Sequence, residues 1–176
     1  KNSDPVHKVT IISRGLTGGY TLKLPIEERR LRTKSQFVSE LAVMMGGFAA
    51  EKLTFGDIST GASNDLKEAS ELARKLVTKY GMSDSLGPMT FGSTEELIFL
   101  GREISTAKNY SEKTATKIDE EVARFIEHAR ALAEKVIKIH RRALEKIAHT
   151  LLEKETLEQD EFYALLKPFK IKLLAA

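Results

Sequence analysis

The sequence contains no cysteine. That removes disulfide staples and thiolate metal sites, and with them several zinc modules. It also lacks a long hydrophobic run. Its longest nearly apolar stretch, LAVMMGGFAA at 41–50, is about half the roughly 20 residues a membrane-spanning helix requires. No GxxxxGK[ST] occurs, and the glycines at 15, 18 and 19 are not followed by a helix start, so no phosphate-cradling loop is expected. The zinc-helix motif HExxH is absent as well. His128, His140 and His149 are separated by 12 and 9 residues rather than the four that put two imidazoles on one helix face, and His7 stands alone before the first strand. Each of the four reads as an ordinary surface or partly buried side chain. There are no internal repeats or low-complexity stretches.

What is present describes a globular chain. Its 176 residues fit one domain spanning 1–176, and 41% hydrophobic with 30% charged residues can bury a core. The net charge of +3 is spread among interleaved acids, which argues against a nucleic-acid surface. No signal peptide is visible, and a start at KNSDPVHKV without an initiator Met reads as the interior of a longer protein. The segment in hand is expected to be soluble.

The fold class expected is mainly α with a small β-hairpin near residues 8–24. KVTII (8–12) is β-branched, GYTLKL (19–24) alternates with a period of two, and Pro25 ends the second strand. Such a hairpin is marginal alone and must pack on helices. From Ser35, Phe37, Leu41, Met45, Ala49 and Leu53 recur at helical spacing, with Gly46 and Gly47 inside the pattern. Two interior glycines cost roughly 1 kcal/mol each, which suggests a tight helix crossing or close approach to an active-site helix. A second helix is predicted over 64–80, stopped by Gly81. Residues 82–110 look irregular and hold the apolar run LIFL (97–100). Ile118, Val122, Phe125, Ala129, Leu132 and Val136, continuing through Leu144, Ile147, Ala148 and Leu151, predict one long helix or a pair. Thr156-x-x-Gln159 reads as a capping box for a last helix over 158–167.

Residues 59–66, STGASNDL, open the second helix with a carboxylate, Asp65, at its mouth. On spacing alone, Asp65-x-x-Glu68 is a capping box. Glu51, on spacing alone, is a solvated helix carboxylate.

Several segments together resemble the peptidase domain of the FtsH-type, membrane-anchored ATP-dependent zinc metalloproteases. They are DPVHKVTIISRG, GGYTLKLP, GGFAAEKL, STGASNDL, YGMSDSLGPMTFG and LLEKETLEQDEF, and they cover most of the chain. The resemblance implies a helical metalloprotease domain in which Asp65 is the third zinc ligand. It implies that Glu51 lies beside the zinc site and orients a ligating His from outside the coordination sphere. Phe48 and Lys52 depart from the family pattern GGRAAEEL, while Glu51 is in place. His7 falls in a stretch that resembles the sequence just after the family's zinc helix. The resemblance further implies that Gly19, Tyr20 and Thr21 hold an unfolded polypeptide substrate by strand addition. It implies zinc as cofactor, with ATP and magnesium on a separate ATPase domain. The implied assembly is a hexameric ring anchored to a membrane by a segment outside this chain, its peptidase part on the cytoplasmic or organelle matrix or stroma side. The two His ligands and the general-base Glu are then expected upstream of Lys1, which predicts that this chain alone is inactive. The alternatives are a non-catalytic homologue or a helical oligomerisation or interaction module.

Overall fold

A computed structural model describes residues 3–13, 18–24, 31–92 and 109–171. Among these the chain is mainly α, with six α-helices and one small antiparallel sheet, the class the sequence predicts. The chain divides into two compact units, residues 1–39 with 134–176, and residues 40–133. The expected apolar run LIFL lies outside the described residues.

The first unit holds the sheet, in the order β2-β1-β3. Strand β1 is Val6–Thr10 and β2 is Tyr20–Lys23, paired antiparallel with Val9 opposite Thr21 and Thr10 opposite Tyr20. The register slips between Val6 and Lys8, so His7 sits within β1 at the irregularity and not before the strand. β1 ends at Thr10 because Ile11 donates its N–H to Glu155 at 3.0 Å and Ile12 donates to the Thr10 hydroxyl at 3.2 Å. Gly19 has φ +148, and a Cβ there would lie 2.5 Å from the Thr10 carbonyl oxygen. Only glycine brings the chain back this close to β1.

The third strand, β3 (Thr156–Glu158), replaces the predicted capping box. The Thr156 hydroxyl is 2.8 Å from that of Thr10, Leu157 is fully buried, and Glu158 pairs with Lys8 at 2.6 Å. Helix α6 (Gln159–Leu166) then starts without a side-chain cap. A three-residue strand between polar neighbours has too little periodicity to announce itself, and Thr-x-x-Gln satisfies the helix signal by composition alone. Tyr163 on α6 accepts the Val6 N–H at 3.0 Å, fastening the helix to β1.

The other helices are α1 (Lys34–Met44), α2 (Gly46–Phe55), α3 (Ser63–Thr78), α4 (Glu112–Ile139) and α5 (Arg141–Lys154). The single helix predicted from Ser35 is broken at Met45, so the glycines are not interior. A Cβ on Gly46 meets nothing within 4 Å, and one on Gly47 would meet only the Ala62 Cβ at 3.9 Å. The expected tight crossing is therefore not what these glycines serve; Gly46 opens α2.

In the second unit Leu41, Met45 and Ala49 are buried in one row, and α3 buries Ala69, Ala73, Leu76 and Val77. On α4 the buried row is Ile118, Glu121, Phe125, Ala129 and Ala133, with a carboxylate inside the expected apolar stripe. Glu121 accepts the Ser83 hydroxyl at 2.6 Å and is paired with Arg124 at 2.5 Å. Ser83 in turn accepts the Leu86 N–H at 3.1 Å. The predicted stripe does not run on unchanged, because α5 is a separate helix. His140 interrupts the chain and resets the helical phase, so Ala143 and Leu151 are buried while Leu144 is exposed.

Candidate functional site

The site begins with α2. Its C-terminus is closed by Gly56 at φ +73, a left-handed cap that lets the chain turn back along the helix. That reversal brings Ser59 to Glu51, eight residues earlier in the chain. The Ser59 N–H donates to Glu51 Oε2 at 2.8 Å and the Ser59 hydroxyl donates to Oε1 at 2.9 Å. The same hydroxyl accepts the Gly61 N–H at 3.1 Å, capping the 3-10 turn Thr60–Ala62. Ala62 is buried and leads directly into α3.

Asp65 lies in the first turn of α3 and is exposed. The positive end of the helix dipole favours a carboxylate there. The capping box predicted from spacing does not form. The residue preceding the helix is Ala62, without a side-chain cap, and Glu68 instead accepts the Asn64 side-chain amide at 3.0 Å. Asp65 is thus presented by the helix and is not its cap.

Sequence reasoning singled out Asp65 and Glu51 but missed Ser59, the residue that connects their surroundings. A serine one residue before Thr-Gly-Ala is a recognisable turn cap, but its partner eight residues back depends on the left-handed turn at Gly56. The Ser59 bonds leave Glu51 with unused lone pairs, since a carboxylate offers about four acceptor positions. Beside this pair is an open cavity of about 230 Å³ lined by Glu51, Phe55, Asp57, Ile58 and Ser59.

The substrate-binding residues expected at 19–21 lie in the first unit. Tyr20 and Thr21 are on β2, an edge strand of the sheet, and all four β2 residues are exposed. Gly19 precedes the strand and has the steric role given above. A larger open cleft of about 550 Å³ beside α5 and α6 includes Lys146, Leu157, Leu165 and Phe169. Its carboxylate, Glu161, is paired with Lys154 at 2.5 Å.

A catalytic zinc takes three protein ligands and an open position. Among the described residues no three His, Cys, Asp or Glu side chains gather to hold a metal. Asp65 suits one ligand position, an accessible carboxylate with a direction set by its helix, but these residues alone do not make a zinc site.

The profile of peptidase family M41 matches residues 1–165. The chain belongs to that family. M41 is the FtsH-type peptidase family, as the relatives of this chain show. The chain is 52% identical over 164 residues to the ATP-dependent zinc metalloprotease FtsH 1 of Thermomicrobium roseum, covering 93% of the chain and 25% of that protein. It is 50% identical over 164 residues to the ATP-dependent zinc metalloprotease FtsH of Caldicellulosiruptor bescii, covering 93% and 27%. With the Thermotoga maritima protein of the same name the identity is 44% over 166 residues, covering 94% and 27%. The M41 chain therefore spans about a quarter of the length of these relatives. Among its described residues no helix is long and apolar enough to cross a membrane.

Proposed function

We propose that this M41 chain is the proteolytic segment of a longer ATP-dependent zinc metalloendopeptidase, in which Asp65 supplies one zinc ligand. The observation that carries the reading is the exposed Asp65 carboxylate in the first turn of α3, within STGASNDL, in a chain of this family. The remaining ligands and the general base belong, on this reading, to an HExxH helix preceding Lys1. Zinc, when bound, supplies Lewis-acid polarisation and an activated water. The residues here contribute Asp65 as a ligand and Glu51 as a carboxylate that orients a ligating His from outside the coordination sphere.

Unfolded polypeptide is the proposed substrate, gripped along β2 at Gly19, Tyr20 and Thr21. The support is that β2 is a sheet edge with exposed residues, and that strand addition recognises backbone and tolerates many sequences. The full enzyme is proposed to be a membrane-anchored hexameric ring, with ATP and magnesium on its ATPase domain and the peptidase part on the cytoplasmic or organelle matrix or stroma side.

Zinc content after dialysis tests the ligand assignment, measured for this chain, for the longer protein, and for the longer protein with Asp65→Asn. The expected result is stoichiometric zinc in the longer protein only, with loss on Asp65→Asn. Tight, stoichiometric zinc in the 176-residue chain would refute the proposal.

A further inference from the structure

We infer that Glu51 and Ser59 are positioning residues. Together they form a latch that fixes the turn from which α3, and with it Asp65, is aimed. This rests on the reading of Asp65 as a ligand and adds to it the means by which the carboxylate is held in place.

The geometry is a short relay. Both Glu51 oxygens are engaged by one residue, through the Ser59 N–H at 2.8 Å and the Ser59 hydroxyl at 2.9 Å. Because the hydroxyl has given its proton to Glu51, its oxygen faces the Gly61 N–H as an acceptor, at 3.1 Å. A hydroxyl has one proton to donate, so the Glu51 contact fixes the sense of the second bond. Bonds to a charged acceptor are stronger than neutral ones, and a donor that is itself polarised is a better acceptor. The chain between Gly61 and Asp65 is already committed: Ala62 is buried and Ser63 begins the helix. Fixing 59–61 on α2 therefore fixes where the first turn of α3 starts.

Gly61 marks how closely the latch is built. A Cβ at this position would lie 3.2 Å from Glu51 Oε1 and 3.2 Å from Ser59 Oγ, pressing on both partners at once. Any larger residue would make both partners give by a few tenths of an ångström, so the glycine suits the latch and is not called for by its own backbone angles. A carboxylate whose oxygens both hold a turn also differs from one that only orients a neighbouring imidazole, since it acts on the ligand-bearing segment of its own chain.

The test is residue-resolved amide hydrogen exchange on this chain, with Glu51→Ala, Ser59→Ala and Ser59→Thr, each checked for an unchanged melting profile. The latch predicts a pattern. Ser59→Ala speeds exchange at Gly61, which loses its acceptor, and Glu51→Ala speeds exchange at both Ser59 and Gly61. Each effect is on the order of tenfold, as for loss of one intramolecular hydrogen bond. Ser59→Thr keeps the hydroxyl and restores protection, and the amides of Leu41 and Leu76 do not change in any variant. Unchanged exchange at Ser59 and Gly61 in Glu51→Ala overturns the latch. Chelator competition for zinc in the longer protein then tests the aim. Ser59→Ala should weaken zinc on the order of tenfold, as supporting residues do, and Ser59→Thr should not. Full zinc affinity in Ser59→Ala, beside a loss in Asp65→Asn, overturns the positioning role. Full affinity in Asp65→Asn overturns the ligand assignment itself, a failure that the exchange data keep separate from failure of the latch.

Discussion

The hydroxyl of Ser83 donates to the carboxylate of Glu121 at 2.6 Å, across 38 residues of sequence. This bond brings the polar half of YGMSDSLGPMTFG down onto α4, so the motif serves the packing of the second unit. Burial alone would push the Glu121 carboxyl up. Hydrogen bonds from Ser83 and Ser85 and the Arg124 charge outweigh it and hold the group below its ordinary 4.5. A carboxylate with a lowered folded pKa stabilises the fold above 4.5, and that contribution is lost as pH falls through the folded value.

Replacing Glu121 tests this. Glu121→Gln should destabilise the chain by about 1–3 kcal/mol at neutral pH, because a charged, buried acceptor is lost. The difference from wild type should shrink as the pH drops below 4.5, where the native carboxyl takes up a proton. Urea denaturation across pH 3.5–7 reads both. A difference that stays constant over this range, roughly the carboxylate titration range, would sink the idea.

Gly19→Ala should cost at least about 1 kcal/mol, since φ +148 is strained for any L side chain and the new Cβ meets the Thr10 carbonyl oxygen at 2.5 Å. The measurement is a urea midpoint at constant slope. A change within about 0.5 kcal/mol would mean the β1–β2 return is not sterically tight.

Leu157→Ala removes a fully buried side chain from β3 and should cost about 2–5 kcal/mol. Leu152→Ala, at a residue 73% exposed on α5, should change stability by no more than about 0.5 kcal/mol. Equal effects from the two would contradict the assignment of β3 to the core of the first unit.

A proline series along β2 addresses peptide capture. Strand N–H groups alternate between the partner strand and the open edge, so substitutions at Tyr20, Thr21, Leu22 and Lys23 should split into two classes. At one alternate pair the sheet is weakened and the melting temperature falls. At the other the fold is kept, and KM for an unfolded peptide rises in the longer protein with kcat held. A uniform KM across the fold-retaining variants would argue against strand addition.

Much of this fold is legible in the sequence where burial follows a period. The α3 stripe from Ala69 to Val77 appears as predicted, β2 forms as a strand although its four residues are all exposed, and Asp65 is found in the first turn of its helix. What is not legible depends on contacts distant in sequence. Glu121 occupies a slot in the stripe that an apolar residue would normally fill, and Ser83, Ser85 and Arg124 make it tolerable there. Val136, in the same predicted stripe, is half exposed within α4, and Leu144 is exposed beyond His140 because helical phase cannot be carried across such an interruption. The Glu51–Ser59 pair needs the turn at Gly56, and no spacing rule anticipates a carboxylate gripping a serine beyond its own helix end.

The sheet also sets an order in time. β1 lies between β2, a few residues further along the chain, and β3, which begins at Thr156. During synthesis the hairpin can form early, but it remains a bare two-stranded ribbon until Thr156–Glu158 has left the ribosome. Leu157 must arrive before β1 is closed on its second side. A nascent chain halted before Thr156 should therefore hold β1 and β2 with the second side of β1 still unpaired.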